Sequence, residues 1–145
     1  MENNTLIIET LRALGFEPEQ EEERKVLWRF EYEKFDLLYV DVEEDRSILH
    51  IAMPNIYEIT DYNRTAVYEA ICNTYFPFTK LKIVGNYVWV IYEHYLATDE
   101  NIEQVLKHII SHIPATALAF FKNIENFDIE NKIDELIEDT NYEMY

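Results

Sequence analysis

The sequence predicts an α+β domain: a five-stranded antiparallel sheet packed by helices, in the order α-β-β-β-α-β-β-α, with a C-terminal helical extension. Three observations predict it. Apolar residues alternate with a period of two between Val26 and Met53, Gly85-Asn86 separates two strand-like runs, and stripes of period 3.6 stand on either side of them. With 145 residues, 48% hydrophobic and 14% aromatic, the chain can bury one core, so its net charge of −17 does not imply disorder. A single domain over residues 1–145 is expected, with an α/β core at 5–113 and an acidic extension at 114–145.

Ile7, Leu11 and Leu14 make one apolar stripe over Thr5 to Leu14, with Asn4 as N-cap. Gly15 supplies the left-handed position that ends such a helix, and Phe16 the apolar contact that seals it. Glu17 to Glu23 holds five glutamates and reads as a solvated connector. Val26, Trp28, Phe30 and Tyr32 then share one strand face. Turns at Glu33-Lys34 and Glu43-Glu44-Asp45 lead to strands over Phe35 to Val42 and Ser47 to Met53, the last stopping at Pro54. Connections this short join antiparallel neighbours, so the three strands form a meander.

Asp61 caps a helix running to about Tyr75, with Val67, Ala70, Ile71 and Thr74 on one face, and Pro77 ends it. Leu81 to Val84 and Tyr87 to Tyr95 flank Gly85-Asn86, which fits a type II′ hairpin turn with Gly at its first central position. Thr98-Asp99 opens the next helix, whose stripe is Ile102, Val105, Leu106, Ile109, Ile110 and Ile113. Pro114 kinks or restarts it, Ala115 to about Asn123 continues as helix, and Ile129, Ile133, Leu136 and Ile137 mark a short amphipathic piece.

The strand from Tyr87 to Leu96 is apolar on both faces, with Tyr87, Trp89, Ile91 and Tyr95 on one and Val88, Val90, Tyr92 and Leu96 on the other. A sheet covered on one side alone shows polar residues on its open side. Either the extension around Leu118, Phe120 and Phe121 covers the second face, or a partner does. Trp89, Ile91 and Tyr95 are therefore the candidate partner-binding residues, and a homodimer is one form such a surface can take.

The charge excludes other classes. Nucleic-acid binders use Lys and Arg to displace phosphate counterions, and 12 basic against 29 acidic residues oppose that, as they oppose an anionic membrane. The start lacks a signal peptide's basic and apolar regions, and Ile113 to Phe121 is too short to span a bilayer, so a cytoplasmic protein is expected. Cys72 is the sole cysteine and reads as a buried structural thiol.

No motif carries catalysis. His108 and His112 lie four apart, the spacing that places two imidazoles on one helix face for a metal. The sequence between them lacks the Glu of a zinc-protease helix, so they read as residues at the edge of the core. Ser47 and Ser111 have no glycine neighbours for an oxyanion hole. The acids Asp41, Glu43, Asp134, Glu135, Glu138 and Asp139 belong to a turn and a tail, where carboxylates stay hydrated. No enzyme, metal or cofactor is expected. A small hydrolytic or metal-binding enzyme built on His108 and His112, and an acidic DNA mimic, are the rival readings. The eleven tyrosines exceed what such a core hides; Tyr57, Tyr62, Tyr68, Tyr75 and Phe78 gather around the second helix and suit a protein-binding surface.

The order of elements resembles the type III secretion chaperone-like fold and, within it, the YbjN-like family. The likeness rests on the meander Val26–Met53, the helix ending Ile71-Cys72-Asn73 before Leu81, the Gly85-Asn86 hairpin and the helix from Glu100, over about residues 5–113. It implies a non-catalytic protein that holds a partner protein or extended peptide as an acidic homodimer, or that regulates sensory transduction. It supplies no catalytic residue, and the extension beyond Pro114 departs from the pattern.

Overall fold

The structure is a computed structural model that describes residues 2–22, 25–28, 38–43, 48–95 and 101–143, with side chains at 5–20, 48–95 and 101–127. In chain order the elements are α1 (Glu2–Ala13), β1 (Glu19–Glu22), β2 (Lys25–Trp28), β3 (Leu38–Glu43), β4 (Ile48–Glu58), α2 (Arg64–Asn73), β5 (Lys80–Val84), β6 (Tyr87–Tyr95), α3 (Ile102–Ile109) and α4 (His112–Glu143). The class is α+β, but the five-stranded sheet is overturned. Six strands pair in the order β1-β2-β3-β4-β6-β5, every neighbour antiparallel. The added strand is Glu19–Glu22, expected to be a connector. Glu19 and Gln20 are both exposed, and a strand at the sheet edge needs no apolar alternation when it pairs with β2, with Glu19 opposite Leu27 and Gln20 opposite Val26.

Helix α1 ends as its sequence requires. Gly15 has φ 95°, the Gly15 N–H donates to Arg12 O at 3.0 Å, and the Phe16 N–H donates to Leu11 O at 2.9 Å. The helix begins at Glu2, however, so Asn4 lies inside it. Strand β4 does not stop at Pro54 but runs to Glu58, with its register against β6 shifting between Met53 and Tyr57. A bulge has no ladder bond to lose, which is why it tolerates a proline there, and Asn55 takes the positive φ of 52°. At the β5–β6 hairpin the positive φ falls on Gly85 and not on Asn86, as a type II′ turn demands. Glu43, expected to begin the turn Glu43-Glu44-Asp45, ends β3 opposite Ile48, while the rest of that turn, the turn at Glu33-Lys34 and the helix start at Thr98-Asp99 lie outside the described residues.

The four described helices serve one side of the sheet. One apolar cluster joins Ile7 and Leu11 of α1, Leu49, Ile51 and Met53 of β4, Val90 and Tyr92 of β6, Ile102, Leu106 and Ile109 of α3, and Ile113 and Ala117 of α4. A second joins Ile59, Val67 and Ala70 to Val88, Phe120 and Ile124. Each large side chain so buried contributes about 1.5–3 kcal/mol. Pro114 falls in the first turn of α4, where a missing N–H costs nothing, so it restarts the helix rather than breaking it. Helix α4 is continuous over 32 residues, from His112 to Glu143, in place of the separate short piece expected around Ile129. Among the described residues no helix is long and apolar enough to cross a membrane.

Candidate binding surface

The register settles which face of β6 the helices cover. Val88, Val90 and Tyr92 belong to the two clusters, and Phe120, Phe121 and Ile124 of α4 pack on that same side. Of the three candidate residues on the other face, Ile91 is 3% exposed, set by pairing between Ala52 on β4 and Lys80 on β5. Trp89 is half-buried, and its indole N–H donates to Asn55 Oδ1 at 2.9 Å. Tyr95 is 72% exposed near the strand end. The three thus do not form one accessible patch: the first is covered, the second is tied to the β4 bulge, and the third stands apart from both.

Among the described residues four of the six exposed aromatics lie elsewhere, along α2 and its flanks, the other two being Tyr87 and Tyr95 at the ends of β6. Tyr62 is fully exposed before the helix, Tyr68 is exposed on it, and beyond its end Tyr75 and Phe78 are 84% and 55% exposed. Tyr57 differs, being half-buried with its ring 5.7 Å from Phe120 in an edge-on contact. Sequence periodicity separates these roles in part. Ala66, Val67 and Ala70 turn inward at helical spacing, so Tyr68 and Cys72 face out. Cys72 is exposed, against the expectation of a buried thiol, because it lies on the side opposite Ala70.

A cleft of about 440 Å³ opens at the start of α2, lined by Tyr57, Tyr62, Thr65, Ala66, Ile124 and Phe127. Asp61, expected to cap the helix, lies two residues before the actual N-cap and accepts from Arg64 at 3.3 Å. Asn63 is the N-cap, but its Oδ1 accepts from the Thr60 N–H at 2.7 Å and its Nδ2 donates to Glu58 O at 3.0 Å. The side chain therefore anchors the loop entering the helix and makes no capping bond to it.

At the other end, two hydroxyl relays fasten the segment after α2 to α4. Asn123 Nδ2 donates to Thr74 Oγ1 at 2.8 Å, and that hydroxyl donates to Ala70 O at 2.6 Å. Thr116 Oγ1 donates to His112 O at 2.7 Å, so the proton it shares with buried Thr79 comes from Thr79. These bonds hold Tyr75 and Phe78 outward while satisfying the polar groups beneath them. Phe78 rests edge-on against His108 and His112, at 6.0 and 5.9 Å.

The remaining histidines sit in the sheet. His94 stacks on Tyr92 with centroids 6.0 Å apart, and His50 has Nε2 buried without a hydrogen bond. Among the described residues no three His, Cys, Asp or Glu side chains converge on a common point. No family model and no curated protein matches the chain.

Proposed function

We propose that the chain is a non-catalytic protein-binding domain whose docking surface is the aromatic ridge of α2, from the cleft at Tyr62 to Phe78. The observation that carries this reading is the exposure of Tyr62, Tyr68, Tyr75 and Phe78 on one helix and its flanks while the core beneath them is filled. Exposed aromatics that the fold does not use for burial are the usual anchors of protein interfaces. This keeps the kind of activity that the likeness to secretion chaperones and the YbjN-like family implies. It moves the surface from β6 to α2. The partner is a protein segment with apolar side chains set among basic ones, because a chain of net charge −17 repels acidic partners and attracts cationic ones.

The test compares short synthetic peptides of apolar–basic and apolar–acidic composition by fluorescence anisotropy. Apolar–basic peptides are expected to bind, more weakly at high salt, and to lose binding to the Tyr75→Ser/Phe78→Ser variant. Equal binding by that variant, or a preference for acidic peptides, sinks the proposal. Sedimentation of the free chain separates this reading from one in which a second copy occupies the ridge.

A further inference from the structure

We infer that His108 and His112 form a two-point binding site for a divalent d-block cation, Cu2+ foremost, at the junction of α3 and α4. The two residues span the break between the helices, and their ring centroids are 5.1 Å apart with planes inclined at 40°. Two imidazoles bound to one ion at metal–nitrogen distances of about 2.0–2.1 Å place their centroids about 4.5 Å apart in cis positions of a tetragonal ion such as Cu2+, and about 5 Å apart on a tetrahedral ion. The pair already stands close to those separations. His108 is exposed and His112 half-buried, so a hydrated ion can reach both.

The tautomer of His112 is set by its hydrogen bond. Its Nδ1 lies 2.9 Å from His108 O, and a carbonyl can only accept, so Nδ1 carries the proton and donates. The lone pair of the neutral ring is then on Nε2. A backbone carbonyl holding Nδ1–H is the arrangement that orients histidine ligands and makes them better donors to a metal. Thr116 fixes the same residue from behind by donating to His112 O. Phe78 packs edge-on against both rings and limits their rotation, so less freedom is lost when an ion binds. Lys107, the residue before His108, is engaged at 2.9 Å by Glu103.

The donor set decides the class of cation. Imidazole nitrogen suits copper, nickel and zinc, with Cu2+ tightest among them, whereas calcium and magnesium require oxygen ligands. With no third His, Cys, Asp or Glu converging among the described residues, water completes the coordination and leaves positions open.

The experiment titrates the full chain with Cu2+ alone, followed by calorimetry and by electron paramagnetic resonance of the copper-loaded protein. The wild type is expected to bind one equivalent more than the His108→Asn/His112→Asn double variant. Each single variant should weaken that site by roughly tenfold or more, and the spectrum should lose its imidazole nitrogen couplings. His112→Asn keeps an N–H donor at the Nδ1 position, and His108→Asn leaves the contact to its own carbonyl untouched, so both should melt like the wild type. Copper binding that is equal in wild type and double variant, nitrogen couplings that survive in it, or displacement of the ion by excess Mg2+ would each overturn the inference.

Discussion

Helices α2 and α3 are of similar length and lie on the same side of one sheet, yet they are built by different rules. In α3 every local device is present. Asn101 Oδ1 accepts from the N–H groups of Glu103 and Gln104 at 3.0 and 3.4 Å, Glu103 stands in the first turn, and Lys107 and His108 stand in the last. Its buried residues are the large aliphatics Ile102, Leu106 and Ile109. In α2 the N-cap side chain makes no bond to the helix, no acid stands in the first turn and no base in the last, and the buried residues are Ala66, Val67 and Ala70. Its largest side chain, Tyr68, faces solvent, and Ile71 is only half-buried. Helix α2 thus lacks the local signals that α3 carries and depends on its packing for its place, while its aromatic, Tyr68, is left in solvent.

The sharpest way to break this contrast is to remove the support under α2. Phe120 is fully buried, packs with Val67 and Ala70, and is the largest such side chain among the described residues. Phe120→Ala should cost about 3–5 kcal/mol in urea unfolding. Hydrogen exchange should show the amides of α2 losing protection before those of α3. Equal loss in both helices would mean that α2 does not depend on α4 for its place.

Smaller effects sharpen the same contrast. Thr116→Val removes the hydroxyl that links Thr79 to His112 O and leaves buried Thr79 without that partner, so a loss of about 1–3 kcal/mol is expected. Reducing Tyr75 and Phe78 to a disordered flank in the same variant, read by aromatic NMR shifts, would assign the relay to positioning the ridge. Asn101→Ala should cost about 1 kcal/mol, measured by the same unfolding curve, because α3 loses a cap that α2 never had.

The contrast also explains what could be read from the sequence. Helix α1 with its Gly15–Phe16 ending, the Gly85-Asn86 hairpin and the α3 stripe all follow local rules, and the structure shows each of them. Strand β1 was hidden because Glu-Gln-Glu-Glu carries no apolar alternation; only pairing with β2 makes it a strand. The extension of β4 past Pro54 depends on a bulge whose register is set by β6, a partner some thirty residues away. Burial of Ile91 has the same origin. Alternation marks which face it shares with Trp89 and Tyr95, but not the neighbours that cover it. The tyrosines around α2 were legible as a group, since Tyr62, Tyr68 and Tyr75 fall off the inward stripe, while Tyr57 needed the position of Phe120 to be told apart.

The smallest expected change in stability bears most directly on what α2 is for. Tyr62→Ser and Tyr75→Ser together remove two rings that the fold leaves in water, so unfolding free energy should stay within about 0.5 kcal/mol of the wild type. The same class of change on α3, at Leu106, would cost several times more because that side chain is fully buried. If the tyrosine variant is as stable as the wild type and no longer binds apolar–basic peptides, stability and recognition are carried by different helices. If it loses stability on the scale of a core substitution, the rings belong to the fold, and the aromatic surface of α2 ceases to argue for a partner.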